Sequence, residues 1–468
     1  MKQTKRQFKM FSFFDFDGIA AHMEKMAADG WMLEQSTNRY WHYRKTEPKK
    51  LKFAVTYFPK ASEFDPQPTE ELQAFNEFCE TAGWKPAASM AQMQIYYNEN
   101  ENPLPLETDP LVQVNTIHSA MKKNYIPSLI IMTVLPLFVI NIYIMKIFTN
   151  PVDSLSSNSD MYIIITYILL LFTSAMELVQ YYSWRKKALA LANEGRAVPS
   201  GKTAKMAQII IVAVMSVLFM MYAVSMLGII SPWFMLVIFA IFGSSGALAL
   251  WVKEYLRRRN VPRKVNVAIT MGSVFVVIIA VLVGVVTAVI KYDLPINPKQ
   301  TRPVGSYMTE HGFEIDIYDD AVPLRVEDFI ATDYTDYSVR NRKSQSFLLA
   351  KYEISQDATI NRQNVPEIIY DVAEVKRGWL YDWCFEKLFD DIDETDRTDL
   401  PVEYRYTLIE QNDPAWDADR VYRVQYEGQY LDKWLLCWDN KIVEIKFYNC
   451  GQLTDSQKTI IGQKIKNM

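Results

Sequence analysis

Hydrophobic and polar positions divide the chain into three regimes. Up to about residue 120, short apolar groups alternate with polar ones. From 126 to 290, long apolar runs dominate, and beyond 291 mixed and heavily charged sequence returns. A helix needs about 20 apolar residues to cross the hydrocarbon core of a bilayer. Five stretches qualify, at about 126–148, 161–182, 206–228, 232–252 and 265–290. The third and fourth share the uncharged stretch 206–252, whose 47 residues are too many for one span. A tight turn between Gly228 and Pro232 is expected to break it into two antiparallel helices.

The flanking regions read as folded domains. In the first 100 residues a strand is expected at 8–14. Asp15 or Asp17 then caps a helix running to Asp29, with Ile19, Ala20, Met23, Met26 and Ala27 at helical spacing. Gly30 ends it, and Trp31 leads into strand sequence through 40–43, followed by an alternating strand at 51–58. The pattern recurs. A helix starting near Thr69 carries Leu72, Phe75, Phe78 and Cys79 on one face, Gly83 and Trp84 repeat Gly30 and Trp31, and a strand follows at 93–97. Strand, helix, strand, strand, helix, strand is the order of a ferredoxin-like α+β domain. In the C-terminal region strands are expected at 312–318 and 346–354. A long helix is expected at 366–391, with Ile369, Val372, Ala373, Leu380, Trp383 and Leu388 as core positions. Strands at 402–410 and 420–429 follow, then a hairpin of 434–438 and 442–447 about Asp439 and Asn440, and a last helix capped at Thr454. The expected fold is a multidomain membrane protein: a ferredoxin-like domain at 1–120, a five-helix transmembrane bundle at 121–291 and a second α+β domain at 292–468.

Charge orients this arrangement. The formal net charge of −4 over 468 residues says little until it is divided by region. The loop between the second and third spans carries Arg185, Lys186, Lys187, Arg196, Lys202 and Lys205. That between the fourth and fifth carries Lys253, Arg257, Arg258, Arg259, Arg263 and Lys264. The first-to-second loop has only Lys146, and the turn between the third and fourth has no charge. Basic loops stay in the cytoplasm, so the N-terminal domain is expected there, and an odd number of spans puts the C-terminal domain outside. The N-terminus lacks an apolar signal core, so the first span is expected to direct insertion. Residues 291–468 hold 22 Lys/Arg and 33 Asp/Glu, a formal charge of −11, which keeps an external domain from adhering to an anionic envelope.

Candidate chemistry is sparse. Apart from Lys146 at the end of the first, Glu177 is the one charged residue inside an expected span, and Asn141 is a polar residue within the first. Either could serve a transport path, although reach to the membrane interface for Glu177 and helix packing for Asn141 account for them better. Trp379, Trp383, Trp434 and Trp438 could line a ligand groove, although aromatics at strand and helix spacing are more often core. Asp390, Asp391, Asp393, Glu394, Asp396 and Asp399 form an acidic run without the glycine of an EF-hand loop, so a solvated loop is expected rather than calcium. Four cysteines with no CxxC pair give no disulfide framework or zinc ribbon, though Cys437 and Cys450 could approach each other in an oxidising exterior. The histidines are His22, His42, His118 and His311, too scattered for a zinc site. No phosphate loop, nucleophile elbow or HExxH is present. No cofactor, metal or nucleic-acid partner is expected, and the basic runs are read as flanks of the spans that meet lipid headgroups.

The stretch from Phe14 through Asp17 to Gly30, Trp31 and Leu33, then Tyr40, Trp41, His42 and Tyr43, resembles the N-terminal domain of the bacterial family called domain of unknown function 2812. Phe78, Cys79, Gly83 and Trp84, with Ile95, Tyr96 and Tyr97, fit it as well. The resemblance covers roughly 8–120. It implies continuation into several membrane helices, a Gram-positive source and gene neighbours encoding PadR-type regulators, and it carries no catalytic residue. The expected function is a non-enzymatic sensory or regulatory component of a cell-envelope response, with a cytoplasmic or membrane protein as partner besides the bilayer. The alternatives are an accessory component of a transport or export system and an external lipid- or wall-active hydrolase using paired carboxylates.

Overall fold

The computed structural model describes every residue except 1–2, 10, 37–39, 67, 202–204, 227–231, 293–302, 309–313, 360–363, 400 and 402–403. It forms two compact units. The first comprises Met1–Phe138, Thr166–Leu218 and Pro232–Ile296, and the second Val139–Ile165, Phe219–Ser231 and Asn297–Met468.

The soluble part of the first unit runs β1 (Thr4–Phe8), α1 (Phe16–Ala28), β2 (Trp31–Ser36), β3 (Tyr40–Lys45), β4 (Lys52–Tyr57), α2 (Glu70–Thr81), β5 (Lys85–Met90) and β6 (Met93–Asn98). The strands make two antiparallel three-stranded sheets, in the orders β1-β3-β2 and β4-β6-β5. One β-α-β-β pattern therefore occurs twice, each time with the last strand inserted between the two that flank the helix. The local causes repeat too. The Asp15 side chain accepts from the Gly18 amide and that of Thr69 from the Leu72 amide, capping α1 and α2. Gly30 (φ +78°) and Gly83 (φ +85°) end the two helices in the left-handed region. A Cβ at Gly30 would stand 2.9 Å from the Thr46 carbonyl oxygen.

Two differences from the sequence expectation follow. The expected single sheet is two sheets, because Trp31–Ser36 and Lys85–Met90 are strands of their own. In β5, Pro86, Ala87 and Ala88 blur the alternation, and the register shifts between Pro86 and Ala88. The strand expected at 8–14 lies instead at Thr4–Phe8. Beyond it the aromatic side chains leave the ladder for separate partners: Phe11 meets Trp41, Phe13 meets Tyr57, and Phe14 meets Trp184, with ring centroids 5.6, 4.8 and 5.0 Å apart.

The helical elements are α3 (Pro110–Ala120), α4 (Ile126–Thr149), α5 (Pro151–Ser156), α6 (Asn158–Asn193), α7 (Lys205–Met226), α8 (Pro232–Arg258) and α9 (Arg263–Tyr292). Asp109 caps α3, and a π-helical turn, Met121–Tyr125, joins it to α4. Four helices, Ile126–Thr149, Asn158–Asn193, Trp233–Arg258 and Arg263–Lys291, are long and apolar enough to cross a membrane. The described apolar part of α7, Ile209–Val224, is shorter. The expected break at 228–231 lies outside the described residues. In the most apolar window of Arg263–Lys291 no residue is buried, and large side chains such as Phe138, Leu236 and Ile290 are mostly exposed. Surface of that kind suits a bilayer rather than water, and the chain has the features of a multi-pass membrane protein.

The second unit is built on a seven-stranded antiparallel sheet. Its strands are β9 (Tyr337–Gln345), β10 (Leu349–Ala358), β11 (Glu367–Val375), β12 (Thr407–Glu410), β13 (Arg420–Tyr426), β14 (Gln429–Trp438) and β15 (Lys441–Tyr448), ordered β12-β13-β14-β15-β11-β10-β9. A separate hairpin pairs β7 (Gly305–Met308) with β8 (Glu314–Ile317), and the strand start expected at 312–313 lies outside the described residues, as does His311. The remaining helices are α10 (Tyr381–Ile392) and α11 (Asp455–Lys466), the latter opened by a Thr454–Gln457 capping box.

Side chains alternate between the two faces of the sheet. Tyr370, Val372, Leu436, Val443 and Ile445 join Ile461 and Ile465 of α11 and the fully buried Trp416. On the other face Leu349, Ala373, Leu435, Cys437 and Ile442 join Leu380, Cys384 and Ile392 around α10, together with Val152 and Leu155 of α5. The helix expected at 366–391 is corrected accordingly: 367–375 is the central strand β11, and only Tyr381–Ile392 is α-helical. A strand covered on both faces has apolar residues at successive positions, which imitates a buried helix. The alternation of buried Ile368, Tyr370 and Val372 with partly exposed Ile369 and Asp371 is the period of a strand. All four cysteines are free. Cys437 packs on the α10 side and Cys450 against the α11 side, so the sheet separates the pair considered for bonding.

Candidate functional site

In the first unit, the N-terminal domain and the ends of the membrane helices share one core. Met23, Tyr43, Tyr57 and Ile95 belong to the same buried cluster as Ile117, Met121 and Ile126 of the α3–α4 entry and Tyr181, Trp184 and Ala188 of α6. Three sets of polar contacts pin this joint. At the α3–α4 entry, the Tyr125 hydroxyl donates to Glu177 Oε1 at 2.5 Å, while its ring stacks on Phe13 at 5.8 Å. The Tyr57 hydroxyl donates to the Phe13 carbonyl. Its burial, with Glu107, Asp15 and Asp17 nearby, pushes its ionisation well above the usual tyrosine range, so it acts only as a neutral donor. His118 Nδ1 lies 2.8 Å from the Tyr181 hydroxyl, and burial, reinforced by Arg185 and Lys122, lowers the His118 pKa.

The second set involves the segment after α6. Trp184 Nε1 donates to the Pro199 carbonyl at 2.8 Å. The Ser200 hydroxyl donates to Asp15 Oδ1 at 3.2 Å and accepts from the Asp17 amide at 3.1 Å. The Gly201 amide donates to the Phe14 carbonyl at 3.0 Å. Gly201 is required there, since a Cβ would come within 2.0 Å of the Phe14 ring. The third set holds the α8–α9 turn: Lys253 pairs with Glu63 at 3.1 Å, Arg263 donates to the Lys60 carbonyl, and Asn266 donates to the Phe64 carbonyl. The domain thus grips both strongly basic junctions of the chain.

The second unit has a joint of its own. Ser346 donates its hydroxyl to the Leu155 carbonyl at 2.5 Å, Asn158 donates to the Gln345 carbonyl at 3.2 Å, and Lys351 bonds both Asp153 of α5 and Glu353. Beside Lys351, strand register sets Glu353, Asp371 and Glu444 directly opposite one another on β10, β11 and β15. Burial, with Glu353, Glu444 and Asp153 close by, pushes the Asp371 carboxyl up to about 6 against the pull of Lys351.

The candidates legible in the sequence lie as follows. Glu177 belongs to the first joint. Asn141 is exposed on α4. Trp434 and Trp438 are core residues: Trp434 packs on Trp416 with ring centroids 5.2 Å apart, and Trp438 Nε1 donates to the Asp417 carbonyl at 2.6 Å. In the acidic run, Arg397 bridges Glu394 and Asp399, and Asp393 accepts from the Leu408 amide. Among the described residues no group of three or more His, Cys, Asp or Glu is arranged to hold a metal ion. Sequence reading missed Tyr125, Ser200 and Gly201, which carry no motif, and weighed His118 only as one of four scattered histidines. It also missed Asp371, hidden when 366–391 reads as a helix. The available signal was Asp371 between apolar neighbours at period two.

With this geometry in view, the comparison with protein families is decisive for the first domain. Residues 15–129 match the family described as "Protein of unknown function (DUF2812)". They are a DUF2812 domain. The match ends inside α4, so the DUF2812 region takes in the α3–α4 entry where Tyr125 meets Glu177. No curated protein and no solved structure matches the chain.

Proposed function

We propose that this chain is a non-enzymatic membrane protein of sensory or regulatory role, in which five spans join a cytoplasmic DUF2812 domain to an extracytoplasmic α+β domain. The supporting observation is that each soluble domain shares its core with a membrane-helix junction: the DUF2812 domain with the α3–α4 entry and the end of α6, the C-terminal sheet with α5. A core of close-packed side chains transmits displacement, because it cannot yield locally without cost. The junctions gripped by the DUF2812 domain are the basic ones, which favours the cytoplasmic side for it. Counting α7 with the four longer helices gives the odd number that sends the C-terminal domain to the other side. Each β-α-β-β repeat contains a split β-α-β unit of the kind that ferredoxin-like domains use, and we read the DUF2812 domain as a duplicated relative of that fold.

Topology is tested with single cysteines at two exposed positions, Lys49→Cys and Asp455→Cys, and an impermeant maleimide on intact cells. Labelling of Asp455→Cys alone before lysis is the expected result, and equal labelling of both would overturn the arrangement. Coupling is tested by hydrogen exchange in α1 after Asp153→Ala disturbs the other joint, and unchanged exchange in α1 would remove the sensory reading.

A further inference from the structure

The contact between α5 and the C-terminal sheet is built from more carboxylates than its cations can neutralise. From α5 comes Asp153, from β10 Lys351 and Glu353, from β11 Asp371, from β15 Glu444 and from β14 Lys433, which pairs with Glu444 at 2.7 Å. Arg342 on β9 stands opposite Glu353, and Lys446 on β15 opposite Lys433. From α10 come Lys387, Asp390 and Asp391. Burial raises the Asp391 pKa, with Asp390, Glu444 and Asp153 adding to the effect.

Lys351 is the one cation seen to bond two of these groups, and its partners are Asp153 and Glu353. Burial alone would lower its pKa, yet the two bonds outweigh burial and raise it, so it stays charged. Asp371 faces Glu353 on one side and Glu444 on the other. Like charges directly opposite across a sheet repel, and α5 rests on β10 at one end of this row, where Lys351 holds Asp153.

We infer that the α5–sheet contact is a pH-responsive joint, in which a proton taken up on the Glu353–Asp371–Glu444 row tightens the hold of the C-terminal domain on the junction between α4 and α6. The sign follows from linkage. Burial is the largest cause of the rise of the Asp371 pKa from 3.8 to about 6, and Asp153 of α5 adds to it, so the share that α5 supplies favours the closed joint in acid and is lost as pH rises through about 6. As the input to the sensor proposed above, the joint names protons as the signal, and that consequence rests on the sensory reading. The joint itself does not.

The test is hydrogen exchange of the 150–157 amides in the full chain in lipid nanodiscs, corrected for intrinsic exchange, between pH 5 and 7.5. If opening returns Asp371 to its ordinary pKa, the opening equilibrium of the wild type rises by at most about tenfold over that range. Asp371→Asn is expected to abolish the rise. Should that variant fold poorly, Glu444→Gln serves instead, and its midpoint is expected below that of the wild type because one repelling neighbour is gone. A flat wild-type profile, or a wild-type rise that persists in Asp371→Asn, would overturn the inference. A pH-dependent joint with no change in exchange of the DUF2812 domain would uphold it while removing the sensor reading.

Discussion

Replacing Gly201 with alanine probes the joint between the DUF2812 domain and the segment after α6. The added methyl would stand 2.0 and 2.3 Å from two carbons of the Phe14 ring and 3.0 Å from Trp184 Cδ1. Phe14 has only 2% of its surface exposed and packs between Tyr181 and Trp184, so the ring has no space to retreat into. Overpacking of this kind costs about 1–3 kcal/mol, which multiplies the opening equilibrium of the joint about 5- to 150-fold. The readout is hydrogen exchange at the Asp17 and Gly18 amides, which Ser200 and Asp15 hold in the closed state. Gly272→Ala in α9 is the control, since a Cβ there meets nothing within 4 Å. Unchanged exchange at Asp17 and Gly18 in Gly201→Ala would refute the packing argument and detach this segment from the domain.

Three further outcomes are expected. Gly462→Ala separates helix propensity from sterics. Propensity alone would stabilise α11 by about 1 kcal/mol, but the new Cβ would fall 2.1 Å from the Trp416 carbonyl oxygen, so thermal denaturation is expected to show a loss of about 3 kcal/mol or more. Tyr125→Phe removes the donor to Glu177 and keeps the ring on Phe13, costing about 1–3 kcal/mol because a partly buried acceptor loses its partner. Combined with Glu177→Gln its effect is expected to be less than additive in a double-mutant thermal cycle. Burial pushes the thiols of Cys79, Cys384 and Cys437 up to about 11, so maleimide at pH 7 is expected to label them only after unfolding. Fast native labelling of Cys384 would contradict the packing of α10 on the sheet.

Local signals in this chain act over a few residues, and those were legible in the linear sequence. Apolar runs longer than any soluble core needs marked the membrane helices, because bilayer thickness is a length requirement independent of partners. Asp15, Thr69 and Thr454 marked helix starts and Gly30 and Gly83 marked helix ends, since a cap is satisfied by backbone groups within four residues. The hairpin turning at Asp439 and Asn440 was readable for the same reason.

Tertiary structure decided everything that depends on what lies on the far side of a residue. Whether 367–375 is strand or helix turned on partners about 15 and 75 residues away, β10 and β15, which cover both its edges. Trp434 and Trp438 became core residues because α11 closes over them. Glu177 gained its role from Tyr125, 52 residues earlier, and Gly201 from Phe14. Asp371 illustrates the limit most clearly. Its chemistry comes from two carboxylates placed opposite it by strand register, and register is a property of the assembled sheet, which no window along the chain contains.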